Sequence, residues 1–171
     1  MTGVVVWFTG LPSSGKSKLA RAVHQRLLQA GQPCCLLDGD VVRQLLFPEL
    51  GYTEAERAHF YSKLAALAGE LARQGLAVLV PATAPLGEHR LKARQLAPRF
   101  LEVWVTTPLE ECQRRDPKGL YAAARDGQSS SLPGVGQAYE PPTQADVLAS
   151  GGDDLAAAQH IAALCCQDSA G

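Results

Sequence analysis

The sequence predicts an α/β fold of three layers, a five-stranded parallel sheet covered by helices on both faces. Three observations predict it. Almost wholly apolar runs of strand length alternate with longer runs of helical period, the pattern of strands buried on both faces. Glycines stand where those helices should stop, at Gly31 and Gly75. The 171 residues, 46% apolar and 19% charged, suffice for one well-buried core and not two, so 1–171 reads as a single domain.

The elements follow in order. Val4 to Thr9 is an unbroken apolar strand. Ser17 to Ala30 follows as a helix, with Leu19, Ala20, Val23, Leu27 and Leu28 on one face. Cys34 to Leu37 is the second strand. Thr53 to Gln74 is a long helix opened by Thr53 with Glu56 three residues on, a capping-box signature. Ala77 to Val80 is the third strand, Glu88 to Leu96 a helix, Leu101 to Val105 the fourth strand and Leu109 to Arg115 a short helix. A weaker strand at Asp146 to Ala149 precedes a last helix from Asp154 to Cys165. Residues 126–143, rich in Gly, Pro, Ser and Gln, have no period and read as a lid-like functional loop. Ligands of such a sheet bind at the C-terminal ends of its strands.

Charge and terminus narrow the class. Sixteen Lys+Arg against 17 Asp+Glu leave a formal net charge of -1, which argues against a polybasic nucleic-acid or membrane-surface protein. The run Val4-Val5-Val6-Trp7-Phe8 lacks a basic flank and is too short for a signal sequence or a membrane span. A cytoplasmic protein with neither nucleic-acid nor membrane partner is expected. The five cysteines, Cys34, Cys35, Cys112, Cys165 and Cys166, match neither a disulfide framework nor a zinc pattern and read as small buried apolar groups. His24, His89 and His160 read as surface or interface residues, and Trp7 and Trp104 as core.

Gly10-Leu11-Pro12-Ser13-Ser14-Gly15-Lys16-Ser17 matches G-x-x-x-x-G-K-[ST] between a strand and a helix. The glycines let backbone N–H groups turn toward a phosphate chain, and the helix start adds partial positive charge. Lys16 would reach the β- and γ-phosphates, and the Ser17 hydroxyl would ligate Mg²⁺. The second strand ends in Asp38-Gly39-Asp40, with Arg43 one turn later. The aspartates admit two readings: a metal shell and base facing the phosphate loop, or a cap by Asp40 of a helix starting at Val41.

These residues resemble the adenylylsulfate kinase family. The resemblance rests on the phosphate loop, Leu37-Asp38-Gly39-Asp40-x-x-Arg43, Leu50-Gly51-Tyr52-Thr53 with Arg57, and above all Arg115-Asp116-Pro117-Lys118-Gly119-Leu120-Tyr121. It extends through Ala124-Arg125-Asp126-Gly127 and Gly134-Val135 to Tyr139-Glu140-x-Pro142. It implies a P-loop kinase fold, commonly dimeric, and transfer of the ATP γ-phosphate to the 3′-hydroxyl of adenylyl sulfate with Mg²⁺. It assigns ATP to Gly10, Ser13, Ser14, Gly15, Lys16, Ser17, Lys18 and Arg115, and the metal to Ser17 and Asp38. Lys16, Asp38 and Asp40 become the catalytic set. The acceptor falls to Asp40, Arg43, Tyr52, Arg57, Phe60, Lys118, Gly119, Leu120 and Leu132, with Arg43 and Arg57 on the phosphosulfate and Tyr52 on the adenine.

The departures from the family pattern lie on the acceptor side. Val41 follows Asp-Gly-Asp where the family has Asn, and Phe60 stands in place of an Asn. Ala82 to Gly87 replaces a segment that carries a serine and an arginine, and Ser130 to Gly134 lacks the family's lid lysine and has Leu132 for an aromatic. His59, Tyr61 and Lys63 are the candidates to compensate. The alternatives are a paralogue that phosphorylates another nucleotide-linked or small hydroxyl compound, and a nucleotide-binding module without catalysis.

Overall fold

The computed structural model describes residues 2–128 and 131–167. Among them lie strands β1 (Val4–Thr9), β2 (Cys34–Leu36), β3 (Ala77–Pro81), β4 (Phe100–Val105) and β5 (Val147–Ala149). The helices are α1 (Lys16–Gln29), α2 (Gly39–Leu46), α3 (Glu54–Arg73), α4 (Gly87–Leu96), α5 (Leu109–Arg115), α6 (Leu120–Arg125) and α7 (Leu155–Cys166). The strands form one parallel sheet in the order β2-β3-β1-β4-β5. This is the three-layer α/β architecture that the alternation of runs predicts.

Side-chain alternation along β1 divides the interior. Val4, Val6 and Phe8 meet Leu19, Ala20, Val23 and Leu27 of α1 and Ala158 and Ile161 of α7 on one face. Val5 and Trp7 meet Phe60, Leu64, Ala65 and Ala68 of α3 and Ala93 of α4 on the other. A strand that is apolar from Val4 to Phe8 is thereby explained, because both of its faces are covered. The central β1 has β3 on one side and β4 on the other; the chain runs from β1 to the edge at β2, returns to β3, then crosses to β4 and β5 on the opposite side. The loops beyond its C-terminal end part there and open a crevice.

One helix was expected only in one of two readings, and another not at all. The first, α2, starts at Gly39 rather than Val41, and its cap is Asp38, whose Oδ1 accepts from Asp40 N at 3.1 Å. The other, α6, opens after Gly119, with the Asp116 carboxylate accepting from Tyr121 N at 3.1 Å and Ala122 N at 2.9 Å. The capping box of α3 is present as expected, with Thr53 and Glu56 bonded reciprocally. Beyond α6, Leu132 O accepts the N–H groups of Val135, Gly136 and Gln137, so this part of the lid-like stretch is a folded turn. Ser130 lies outside the described residues.

Several packing expectations are corrected. Cys112 and Cys165 are buried, but Cys34 and Cys35 are half-buried and Cys166 is exposed. Trp7 is core, whereas Trp104 is half-buried on the wall of a cavity of about 690 Å³ beside Thr107 and Tyr139. His89 is buried rather than at the surface, with its ring 4.8 Å from that of Tyr61 and neither nitrogen hydrogen-bonded. Burial pulls its pKa below the usual histidine value, against the attraction of Glu88 and with Arg90 and Arg57 adding to the fall.

A stability prediction follows from that direction. As pH falls from the ordinary histidine value toward the lowered one, the unfolded chain takes up a proton that the folded chain resists. Stability is therefore full above about pH 6.5 and lost on acidification through this window. His89→Phe, which keeps the ring against Tyr61, should flatten melting temperature against pH between about 5 and 7. An unchanged slope in that variant would remove His89 as the cause.

Candidate active site

The crevice above β1 is a cavity of about 1010 Å³. Its donor wall is the turn between β1 and α1. Gly15 adopts φ 99°, and a Cβ there would stand 2.5 Å from Gly152 N, so only glycine lets the turn lie this close to the loop after β5. Lys16 folds back over the turn, with Nζ donating to Gly10 O at 3.0 Å and Leu11 O at 2.8 Å. Burial lowers its pKa to about 8, with the nearby Asp40 carboxylate opposing the fall. Ser14 Oγ is buried without a hydrogen-bond partner. Two other loop carbonyls are held by hydroxyls: Tyr121 Oη donates to Pro12 O at 2.7 Å and Thr107 Oγ1 to Ser14 O at 2.7 Å.

Asp38 joins this wall to the acceptor wall. One carboxylate oxygen caps α2 while the other accepts from Ser17 Oγ at 2.6 Å. The capping reading is realised with Asp38 and not Asp40 as the cap, while Asp38 also meets the phosphate loop through Ser17. Asp40 is left with its carboxylate in the cavity, exposed and ion-paired with Lys118. The fit to a magnesium ion is chemical. Ser17 and Asp38 present hard oxygens side by side, and Mg²⁺ takes one or two protein oxygens, completing its shell with phosphate and water. Among the described residues no cluster of three His, Cys, Asp or Glu side chains offers a different metal site.

On the wall facing the phosphate loop across the cavity, Arg43 and Arg57 are both buried. Arg43 Nη2 donates to Leu50 O at 3.1 Å and to Gly51 O, while its guanidinium lies 4.2 Å from the Tyr52 ring and 5.1 Å from Phe60. Arg57 donates from Nε to Tyr52 O at 3.0 Å and from Nη2 to Ser131 O at 2.7 Å. Both guanidiniums therefore hold the backbone around Tyr52. Arg43 Nε and Nη1 make no protein hydrogen bond among the described residues, so donors remain for an anion. Tyr52, Phe60, Lys118, Leu120 and Leu132 all border the cavity. Of the three candidates to compensate, Tyr61 lines it, while His59 and Lys63 are exposed on α3.

The remaining assigned residues divide. Ser13, Lys18 and Arg115 line the cavity. Lys18 pairs with Asp153 at 2.5 Å, and Arg115 Nε donates to Glu111 at 2.7 Å. Gly10 and Ser14 lie buried behind the turn rather than on the wall, and Gly119 is the left-handed residue before α6. Glu111 was missed. Its carboxylate holds both Arg114 and Arg115, whose hydrogen bonds bring its pKa down to about 2. Thr107 and Tyr121 were missed too, although Tyr121 closes the segment that carries the resemblance.

A glycine-bounded cradle with its lysine, a serine–aspartate pair at its rim, and a carboxylate across the same cavity define a P-loop phosphotransferase that acts on a hydroxyl group. A family model described as Adenylylsulphate kinase matches residues 2–150, and the chain belongs to that family. The adenylyl-sulfate kinase of Paraburkholderia xenovorans is 42% identical over 147 residues, covering 85% of this chain and 82% of that protein. The bifunctional enzyme CysN/CysC of Mycobacterium tuberculosis is 45% identical over 149 residues; the chain spans 24% of its length. The structure of the M. tuberculosis APS kinase CysC in complex with AMPPNP and APS superposes with a TM-score of 0.89 at 41% identity, covering 95% of this chain and 97% of that one.

Proposed function

We infer that the chain transfers the γ-phosphate of ATP to the 3′-hydroxyl of adenylyl sulfate. The observation that carries this reading is the placement of Asp40. Its carboxylate shares one cavity with Lys16, and among the described residues its one side-chain ion pair is with the exposed Lys118, so a hydroxyl can displace that partner. Asp38 has both oxygens engaged by Ser17 and Asp40 N, which suits a fixed anchor better than a base.

In this mechanism Lys16 leaves the carbonyls of Gly10 and Leu11 for the β- and γ-phosphates. Ser17 and Asp38 would hold a magnesium ion, which would supply charge neutralisation for the transferred group. Arg43 and Arg57 face the acceptor's anionic end, and the Tyr52 ring takes its base. Asp40 accepts the hydroxyl proton as the new oxygen–phosphorus bond forms and the bond to ADP breaks. Arg115, steadied by Glu111, borders the nucleotide side.

One observation favours a second reading. Phe60, Tyr61, Phe47 and Ala82 give the acceptor wall an apolar floor, which would suit another hydroxyl compound with a larger apolar part. A panel of nucleotide acceptors with ATP·Mg²⁺, scored by product mass, separates the two. Product with adenylyl sulfate supports the first reading, and transfer only to another acceptor replaces it. A homodimer belongs to the same proposal, supported by the exposed Val41, Leu45 and Leu46 on α2. A cytoplasmic setting is supported by five free thiols. No helix among the described residues is long and apolar enough to cross a membrane.

A further inference from the structure

Backbone N–H groups can face a phosphate only if carbonyls of the same turn face away, and each buried outward carbonyl then needs its own donor. In this chain those donors can be named. Gly10 O and Leu11 O receive Lys16, and Gly15 O receives Leu19 N from within α1. Pro12 O and Ser14 O are left to side chains far away in sequence, Tyr121 and Thr107, each at 2.7 Å with the hydroxyl buried. When Lys16 turns to a nucleotide, these two are the side-chain donors that stay.

We propose that Tyr121 and Thr107 are positioning residues that fix the peptide planes of the phosphate loop for transfer, with Tyr121 also keying that loop to the acceptor wall. The proposal rests on the kinase reading above. Tyr121 is suited to the second task by what surrounds it. Its N–H is fixed by Asp116, and its ring packs in one cluster with Cys112, Leu132 and Leu11. Burial pushes the phenol pKa up, so the group remains a donor. Gly134, beyond Leu132, lies so near Leu11 that a Cβ there would stand 2.7 Å from Leu11 Cδ2. Thr107 ties the same loop to the chain after β5, with a second contact to Ser150 O at 3.3 Å. Loop amides displaced by a fraction of an ångström still bind a nucleotide, but they no longer match the charge that develops on the transferred group.

The test uses Tyr121→Phe and Thr107→Val, which delete one hydroxyl each and keep most of the shape, with Thr107→Ser as the conservative control. Each deletion should lower kcat by roughly tenfold to a hundredfold while KM for ATP moves less than about threefold. Amide exchange at residues 13–17 should accelerate about tenfold, both ligand-free and with AMPPNP, without matching change in the sheet. Thr107→Ser should restore most of the rate. Unchanged loop exchange with kcat within about twofold of the parent would overturn the proposal, as would loss of kcat in step with global stability. Should one variant fail to fold, the other decides. The exchange readout involves no acceptor, so failure of the adenylyl sulfate reading would show separately, as an unsubstituted protein inert toward that compound.

Discussion

Lys16→Ala should leave the fold intact and reduce phosphoryl transfer by roughly a thousandfold, the upper range for removing one preorganised donor. The folded state should tolerate the change because burial already disfavours the ammonium, lowering its pKa to about 8. Removing it relieves that penalty and forfeits two hydrogen bonds to carbonyls of the same turn. Melting temperature should stay within a few degrees of the parent, by the usual size of offsetting terms. Retained turnover would remove the assignment. The same lowered pKa gives a sign for pH. A bound triphosphate favours the ammonium, so above about pH 8 ATP binding should take up a proton and weaken as pH rises. Calorimetry in two buffers of different ionisation enthalpy reads that uptake, and proton-neutral binding at pH 9 would contradict it.

Asp40→Asn should lower kcat by roughly a hundredfold to ten-thousandfold, the range of general-base catalysis. The amide keeps the shape of the carboxylate but cannot take the proton. Stability should barely move, since the pair with Lys118 is exposed on both sides. Asp38→Asn should behave differently. Its single carbonyl oxygen can still cap α2, but the acceptor for Ser17 Oγ is lost, so the concentration of Mg²⁺ needed for half activity should rise while the helix cap is kept. If the two variants were indistinguishable in Mg²⁺ dependence, the division of labour between the aspartates would not stand.

The elements that carry strong local signals were legible. The run Val4 to Thr9, the face of Leu19, Val23 and Leu27, and the Thr53–Glu56 box each announce one element, and each is where expected. The phosphate loop was legible because its glycines and lysine lie within eight consecutive residues. The elements that escaped are those whose cause lies elsewhere. In α6 the first helical N–H groups are capped by Asp116, beyond Pro117 and Gly119, and those two residues punctuate the sequence as a turn would. The β-branched Val41 and Val42 weaken the helix signal in α2, which left that helix as one of two readings. His89 sits on a short helix whose pattern is polar, and only its packing against Tyr61 shows that it is buried. The resemblance located Arg43 and Arg57 at the site, but their bonds to Leu50, Tyr52 and Ser131 depend on the folded loop.

The sheet order has a consequence for how this protein behaves in a crowded solution. Its two outermost strands, Cys34–Leu36 and Val147–Ala149, are three residues each, while the longer apolar strands lie between them. A stray chain approaching either rim finds too few open backbone groups to extend the ladder. The stretches most prone to self-association, above all Val4–Thr9, become reachable only when the whole sheet opens. Resistance to fibrous aggregation should therefore follow global stability and be insensitive to changes confined to the rims.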